Sequence, residues 1–287
     1  MSLALVDRIA NAVLYEGYIL YPYRPSSVKN RQRWTFGGLF PPGYGADPSS
    51  LHAEMLIEGE PAGLTLQIRF LHLVQRDAWQ QAMECEVAWS GPGEQRFTFP
   101  ASPGQEQIDG TASVELHRID DDLHTLTLHV ANATDFKGAD KTTRDEAALQ
   151  AMIATHAIAE ISNGAFVSLI DPPERYRDAA ARCSNLGVWP VLAGEEGARN
   201  CMLVSPIILY DYPQVAPESP GDLFDSAEID EILTLRIMTM TGEEKEEMRR
   251  TDERARRILE RTESLRPEEL MKLHGVLRNP HAQEWAR

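Results

Sequence analysis

The chain has 287 residues and a formal net charge of −16, with ordinary hydrophobic and charged fractions. That length supports one large domain or two modest ones around a real core. The acid excess excludes a general nucleic-acid binder and adsorption to anionic membranes, because both need surplus Lys and Arg.

In chain order, residues 3–14 place Leu3, Leu5, Ile9, Ala12 and Val13 on one face of a short opening helix. No basic leader with an apolar core opens the sequence, so no signal peptide is expected. Residues 15–44 then concentrate eight aromatic rings: Tyr15, Tyr18, Tyr21, Tyr23, Trp34, Phe36, Phe40 and Tyr44. Arg24, Lys29, Arg31 and Arg33 stand there against one acid, Glu16, a local excess of positive charge in an acidic protein. Pro22, Pro25, Gly37, Gly38, Pro41 and Pro42 punctuate the segment and predict loops and short strands.

Residues 51–131 carry strand periodicity. Leu64, Leu66, Ile68 and Phe70 alternate with polar residues, as do Met83, Cys85, Val87 and Trp89. Leu71 and Leu73 follow Phe70, which suggests a change of apolar face and a bulge. The run SVELHRIDDDLHTLTLHV predicts a hairpin turning at Asp120–Asp122, with Leu116 opposite Leu126 and Val114 opposite Leu128. A helix is expected from a capping box at Thr143 and Glu146, with Leu149, Met152, Ile153, His156, Ala157 and Ile161 as its stripe. GAFVSLID, VWPVL and CMLVSPIILY read as buried strands around a short helix at 174–183.

A proline-rich arm, 211–225, leads to helices beginning near Ser226, at a second capping box of Thr241 and Glu244, and at Pro267. The expected architecture is therefore α+β: an antiparallel β-sandwich or partly open barrel with flanking helices and a helical C-terminal tail. It divides into a mainly β domain (1–210), a linker (211–225) and a helical region (226–287).

No phosphate loop, dinucleotide fingerprint, nucleophile elbow or zinc-protease helix is present, so no cofactor is predicted. The hairpin register separates His117, His124 and His129, and no metal site is expected from them. His156, Asp211 and Glu218 are the alternative acid–base candidates, should the protein be an enzyme of unknown, for instance hydrolytic, activity. Tyr21, Tyr23, Arg24, Lys29, Arg31, Arg33 and Trp34 are residue types enriched at interface hot spots, and they are the candidate partner-binding set. Met248, Ala255, Ile258 and Leu259 form a narrow apolar seam in the charged tail, through which the chain could bind a partner or form a homo-oligomer. No run reaches the roughly 20 apolar residues of a membrane helix. The three cysteines, Cys85, Cys183 and Cys201, make no CxxC and predict reduced thiols and a cytoplasmic location.

The strings NAVLYEGYILYPYRPSSVKNRQRWTFGGLFPP, LIDPPE, SPIILYDYPQVAPESPGDLFD and AEIDEILTLRIMTMT resemble stretches of an uncharacterised bacterial protein family. Its members occur beside nickel–iron hydrogenase structural and maturation genes. The resemblance covers nearly the whole chain. It implies a role in hydrogenase assembly, maturation or complex architecture, with a hydrogenase subunit or maturation protein as partner. It implies no defined reaction and no catalytic residue.

Overall fold

A computed structural model describes residues 2–16, 18, 23–24, 36–76, 79–137, 142–214, 230–266 and 268–269. The chain forms two compact units. One comprises residues 1–18 and 32–214, the other residues 19–31 and 215–287. The early segment 19–31 thus groups with the C-terminal helices and not with the β domain that surrounds it in sequence.

The first unit is an antiparallel sandwich of two five-stranded sheets, not closed into a barrel. Its strands are β1 (Ser50–Ala62), β2 (Thr65–Arg76), β3 (Trp79–Ser90), β4 (Gly93–Phe99), β5 (Ile108–Asp120), β6 (Leu123–Asn132), β7 (Ile153–Glu160), β8 (Asn163–Val167), β9 (Trp189–Leu192) and β10 (Cys201–Ser205). The first sheet runs β4-β5-β6-β1-β8 and the second β3-β2-β7-β10-β9. The inner faces meet in one core that includes Met55, Ile57, Leu126 and Leu128 from the first sheet and Ile68, Phe70, Ala159 and Met202 from the second. Phe70 meets Phe99 edge to face, with centroids 5.3 Å apart, and joins the second sheet to the end strand of the first.

The expected hairpin forms between β5 and β6 in the register read from sequence, Leu116 opposite Leu126 and Val114 opposite Leu128. Two expectations need correction. First, β2 does not switch faces. Its register with β3 is unbroken, and Leu71 and Leu73 are buried because the outer face of the strand is covered too. The bulge lies in the neighbouring strand. Arg69 and Leu71 of β2 face His156 and Ile153 of β7, so β7 carries one extra residue, and Ala154 there has φ +52°.

Second, the helix begun by the Thr143–Glu146 capping box is α2 (Arg144–Ala148) and stops there. Residues 153–160 form β7, a central strand buried on both faces. A short apolar run reads alike as buried helix or buried strand, and burial on both sides decided for the strand here.

Helix α1 (Ser2–Tyr15) lies over β7, β2 and β10 on the outside of the second sheet. Val6, Ile9, Ala10, Val13 and Leu14 form its buried stripe, at i, i+3, i+4, i+7 and i+8. A 3-10 turn (Glu174–Tyr176) leads into α3 (Arg177–Arg182), whose Ala179 packs with Tyr176, Leu56 and Val167 on the outside of the first sheet. Buried Asn132 ties loops together: its Nδ2 donates to Leu39 O (2.9 Å) and Gln150 O (2.7 Å), and its Oδ1 accepts from Thr134 N (2.9 Å).

In the second unit, α4 (Asp230–Met238), α5 (Gly242–Thr251) and α6 (Glu253–Ser264) pack together. The Thr241–Glu244 capping box forms as read from sequence. Among the described residues no helix is long and apolar enough to cross a membrane.

Candidate functional site

Tyr23 and Arg24 are the described members of the predicted partner-binding set; Tyr21, Lys29, Arg31, Arg33 and Trp34 lie outside the described residues. Tyr23 has φ +55° and is fully buried, so its ring offers no surface to a partner. Arg24 reaches α5, with Nη2 3.2 Å from Glu244 Oε1 and Nη1 3.6 Å from Glu247 Oε2. Glu244 also closes the capping box: its Oε2 accepts from Thr241 N, and these contacts with Thr241 hold its carboxyl below the usual range.

The neighbouring rings of the β unit pack inward as well. Tyr15 and Tyr18 meet edge to face at 5.5 Å, and Phe40 stacks on Tyr44 at 5.6 Å. Apart from Phe36, which is exposed, the described part of this aromatic segment is a packing hub. The apolar seam of the tail is likewise closed internally, since Met248, Ala255, Ile258 and Leu259 are all buried.

His156 stands on the outer face of β7, not on a helix, and is fully buried. A carbonyl can only accept, so Nδ1–H donates to Ala154 O at 2.9 Å. Nε2 has no hydrogen-bond partner among the described residues. Burial, with the nearby Arg69 charge, pushes its pKa down to about 4. Arg69 is itself held by Asn11 Oδ1 (2.6 Å) and approaches Glu84 Oε2 (3.8 Å), which also receives the Tyr15 hydroxyl on its other oxygen (2.5 Å). A neutral, enclosed imidazole in this setting positions α1 on the sheet; it has no access to a substrate.

Asp211 does not share a site with His156. It sits at the outer edge of β9, two strands away. Its Oδ1 accepts from Leu192 N (2.8 Å) and its Oδ2 from Ser168 Oγ (2.5 Å). Tyr212 N then donates to Leu192 O (2.7 Å). Residues 211–212 therefore satisfy the outward-facing groups of Leu192. Pro190, two residues earlier on the same side, has no N–H to offer. Together they seal this sheet edge against further strands. Glu218 lies outside the described residues.

Among the described residues, no group of three His, Cys, Asp or Glu side chains could hold a metal ion. His117 and His129 lie opposite Thr125 and Ser113, while His124 lies opposite Arg118 on the other face. His52 approaches Glu54 at 3.7 Å, but among the described residues no third ligand joins them. The thiols are free, and burial raises the pKa of Cys85 and Cys201 to about 12 and of Cys183 to about 11, which leaves them unreactive.

Two features escaped the sequence. Glu58 of β1 is clamped by Arg175 and by Arg199 Nη2 (2.5 Å), with Arg175 lying over the Tyr176 ring. The Arg199 hydrogen bond, more than the Coulomb attraction of either arginine, holds the Glu58 carboxyl below its ordinary range. These residues are far apart in the chain, and no local signal marks them. The second feature is apolar. Ile170, Leu186, Trp189, Ile208 and Tyr210 are all exposed, Tyr210 at 83%.

All five belong to the β8–β9 side of the sandwich. Leu186 bridges to His52 on the outer side of β1, Trp189 lies on β9 opposite Ser205, and Ser168 ties the Ile170 turn to Asp211. Pro206 ends β10, and the apolar run beyond it emerges at the surface. In the helical unit a groove of about 440 Å³ lies open along Gly242, Glu243, Glu246, Glu247 and Arg250 of α5, an exposed charged face and not an enclosed apolar site.

Compared with protein-family models and with characterised proteins, the chain matches none.

Proposed function

We propose that this protein is a non-enzymatic, cytoplasmic accessory protein that acts by protein–protein binding in the assembly or maturation of a nickel–iron hydrogenase. The observation that carries the binding reading is the exposed apolar set on the β8–β9 side: Ile170, Leu186, Trp189, Ile208 and Tyr210. Large apolar groups gathered on one side of a sandwich, above a backbone edge that is already sealed, suit side-chain recognition of a partner surface. The acid–base candidates among the described residues, His156 and Asp211, are both committed to holding the fold. The hydrogenase context comes from the sequence resemblance.

The test is affinity capture of the full chain from a hydrogenase-producing host, with Trp189→Ala/Tyr210→Ala as the paired variant. The wild type should retain a hydrogenase subunit or maturation protein, and the double variant should lose most of it. Capture of neither by a folded wild type would reject the reading.

A second reading, a homo-oligomer formed through the C-terminal helices, is favoured by Ile232, Leu235 and Met238, which repeat every three residues on α4 and are exposed. Light scattering would decide: a monomeric mass at tens of micromolar, unchanged by Leu235→Glu, rejects it.

A further inference from the structure

The two sheets end in four edge strands, and the chain treats them differently. At β9, Asp211, Tyr212 and Pro190 close the edge. At β8, Phe166 N donates to Arg199 O (2.7 Å) and Arg199 Nε donates back to Phe166 O (2.9 Å). At β3, Glu84 is engaged by the Tyr15 hydroxyl and by Arg69. At β4, Gly93–Phe99 run in unbroken register with β5, with no proline or lysine inside the strand. Pro92 and Pro100 bound it on either side.

The ladder fixes which groups β4 presents. Ala133 N donates to Asp109 O at 2.8 Å, one position beyond the pair of Gly110 with Asn132. Asp109 therefore turns its carbonyl toward β6. Bonded and non-bonded pairs alternate along an antiparallel ladder, so Ile108, Gly110, Ala112 and Val114 turn their backbone groups toward β4. Their opposite numbers Phe99, Phe97, Gln95 and Gly93 bond to β5. Glu94, Arg96 and Thr98 then turn their N–H and C=O groups outward. All three are exposed, and among the described residues no hydrogen bond reaches their backbone from that side. The Glu94 and Arg96 side chains pair with each other at 3.2 Å while 58% and 82% exposed, so water screens that pair and it can be exchanged at little cost.

We infer that the outer edge of β4 pairs with the same edge of a second copy of this chain, antiparallel about a two-fold axis at Gln95, so that the first sheet runs on from one copy into the other. Charge selects both the occupant and the register. Outward residues can bond only to outward residues. An axis at Glu94 would set Glu94 against itself, and an axis at Arg96 would set Arg96 against itself; like charges facing across a ladder repel. An axis at Phe97 would set Arg96 against Thr98 and leave the charges unmatched. The axis at Gln95 sets Glu94 of each copy against Arg96 of the other, and so makes two opposite-charge pairs. The other face of the strand agrees. With that axis Phe97, half-buried against Phe70, lies across from Gly93 of the second copy, where a Cβ would have no atom within 4 Å. An aromatic ring opposite an edge glycine covers backbone that the glycine leaves bare.

Pro92 has no N–H and ends the ladder, so the contact is small and the dimer weak, micromolar or weaker. β4 and β8 stand at opposite ends of the first sheet. The pairing therefore leaves the apolar β8–β9 side of each copy open and presents it twice, although the inference does not depend on the role of that side.

The test follows the full chain by sedimentation velocity from about 10 µM to about 1 mM, in about 0.15 M salt to screen the net charge of −16 on each copy. A dimer should form and slow amide exchange at Glu94 and Arg96 severalfold, leaving Gln95 and Phe97 unchanged because they already bond to β5. Glu94→Arg and Arg96→Glu should each weaken self-association by about tenfold or more, since each sets two like-charged pairs across the axis. An equimolar mixture of the two variants should associate at least as tightly as the wild type, because every facing pair is then of opposite charge. Both substitutions in one chain should likewise restore the dimer, and Leu235→Glu on α4 should leave it unchanged. The exchange measurement needs no variant and stands whether or not the variants fold. A chain that stays monomeric at about 1 mM, or single variants that dimerise like the wild type, would overturn the assignment. So would a mixture no tighter than either variant alone, or protection confined to other segments.

Discussion

Acidification should strip stability from the β unit through His156, by an amount that can be worked out. The imidazole is fully enclosed on β7 and titrates near pH 4 in the fold. In the unfolded chain it titrates near its ordinary value of about 6.5. Its folded pKa is depressed, so the unfolded chain takes up the proton first. The stability contribution is therefore complete above about pH 6.5, is lost progressively as pH falls, and levels off below about pH 4. With 1.36 kcal/mol per pKa unit, the loss from pH 8 to pH 5 is about 2 kcal/mol, rising toward about 3 kcal/mol at the plateau. Other groups, including the enclosed His72, add their own pH dependence, so the readout is a difference.

His156→Asn keeps a donor for Ala154 O and removes the titration. Urea unfolding of both proteins at pH 8, 7, 6 and 5, followed by tryptophan fluorescence, gives that difference. Any cavity left by the smaller side chain shifts the variant by the same amount at every pH. The wild type should lose about 2 kcal/mol more than the variant between pH 8 and pH 5. A gap between the two proteins that stays constant with pH would refute the reasoning.

Asn132→Ala removes three hydrogen bonds, including the side-chain donor to Gln150 O, while Leu39 O keeps the bond from Met152 N; it should cost about 3 kcal/mol in urea unfolding and lower cooperativity little. The three thiols should resist alkylation at pH 8: with Cys183 near 11, its reaction with iodoacetamide should be about a hundredfold or more slower than after denaturation, as mass spectrometry of the quenched protein reports. Thr241→Ala opens the capping box of α5 and should destabilise the helical unit by about 1 kcal/mol, seen as faster amide exchange in residues 242–251 with the β unit unchanged.

Much of the fold was legible because it rests on local periodicity. The β5–β6 register followed from two alternating runs around an acidic turn, down to Arg118 opposite His124. Both capping boxes followed from residues three apart. What failed was the environment of short apolar runs. The stripe from Leu149 to Ile161 fits a helix, and only its place between β2 and β10 makes residues 153–160 a strand. CMLVSPIILY reads as one buried run, yet Pro206 divides it into a core strand and an exposed segment.

The candidate site was less legible still. Tyr23 and Arg24 have the composition of an interface, but Tyr23 is buried and Arg24 pairs with a helix encoded at the other end of the chain. Asp211 reads in sequence as an acid–base candidate at the start of the proline-rich arm; its partners, Leu192 and Ser168, are contributed by separate strand ends.

The grouping of residues 19–31 with the helices has a consequence for how the protein is made. Tyr23 and Arg24 leave the ribosome early, while the α5 carboxylates that receive Arg24 emerge only in the last part of synthesis. The smaller unit therefore closes after the sandwich strands have all been translated, and closing it joins segments from nearly opposite ends of the chain. A message truncated before α5 would yield a sandwich with every strand but with the Arg24 guanidinium lacking the carboxylates that receive it. Such a product would be marked as incomplete by exposed surface alone. For the same reason no single cut yields both units intact, and each could be produced whole only from a permuted or co-expressed chain.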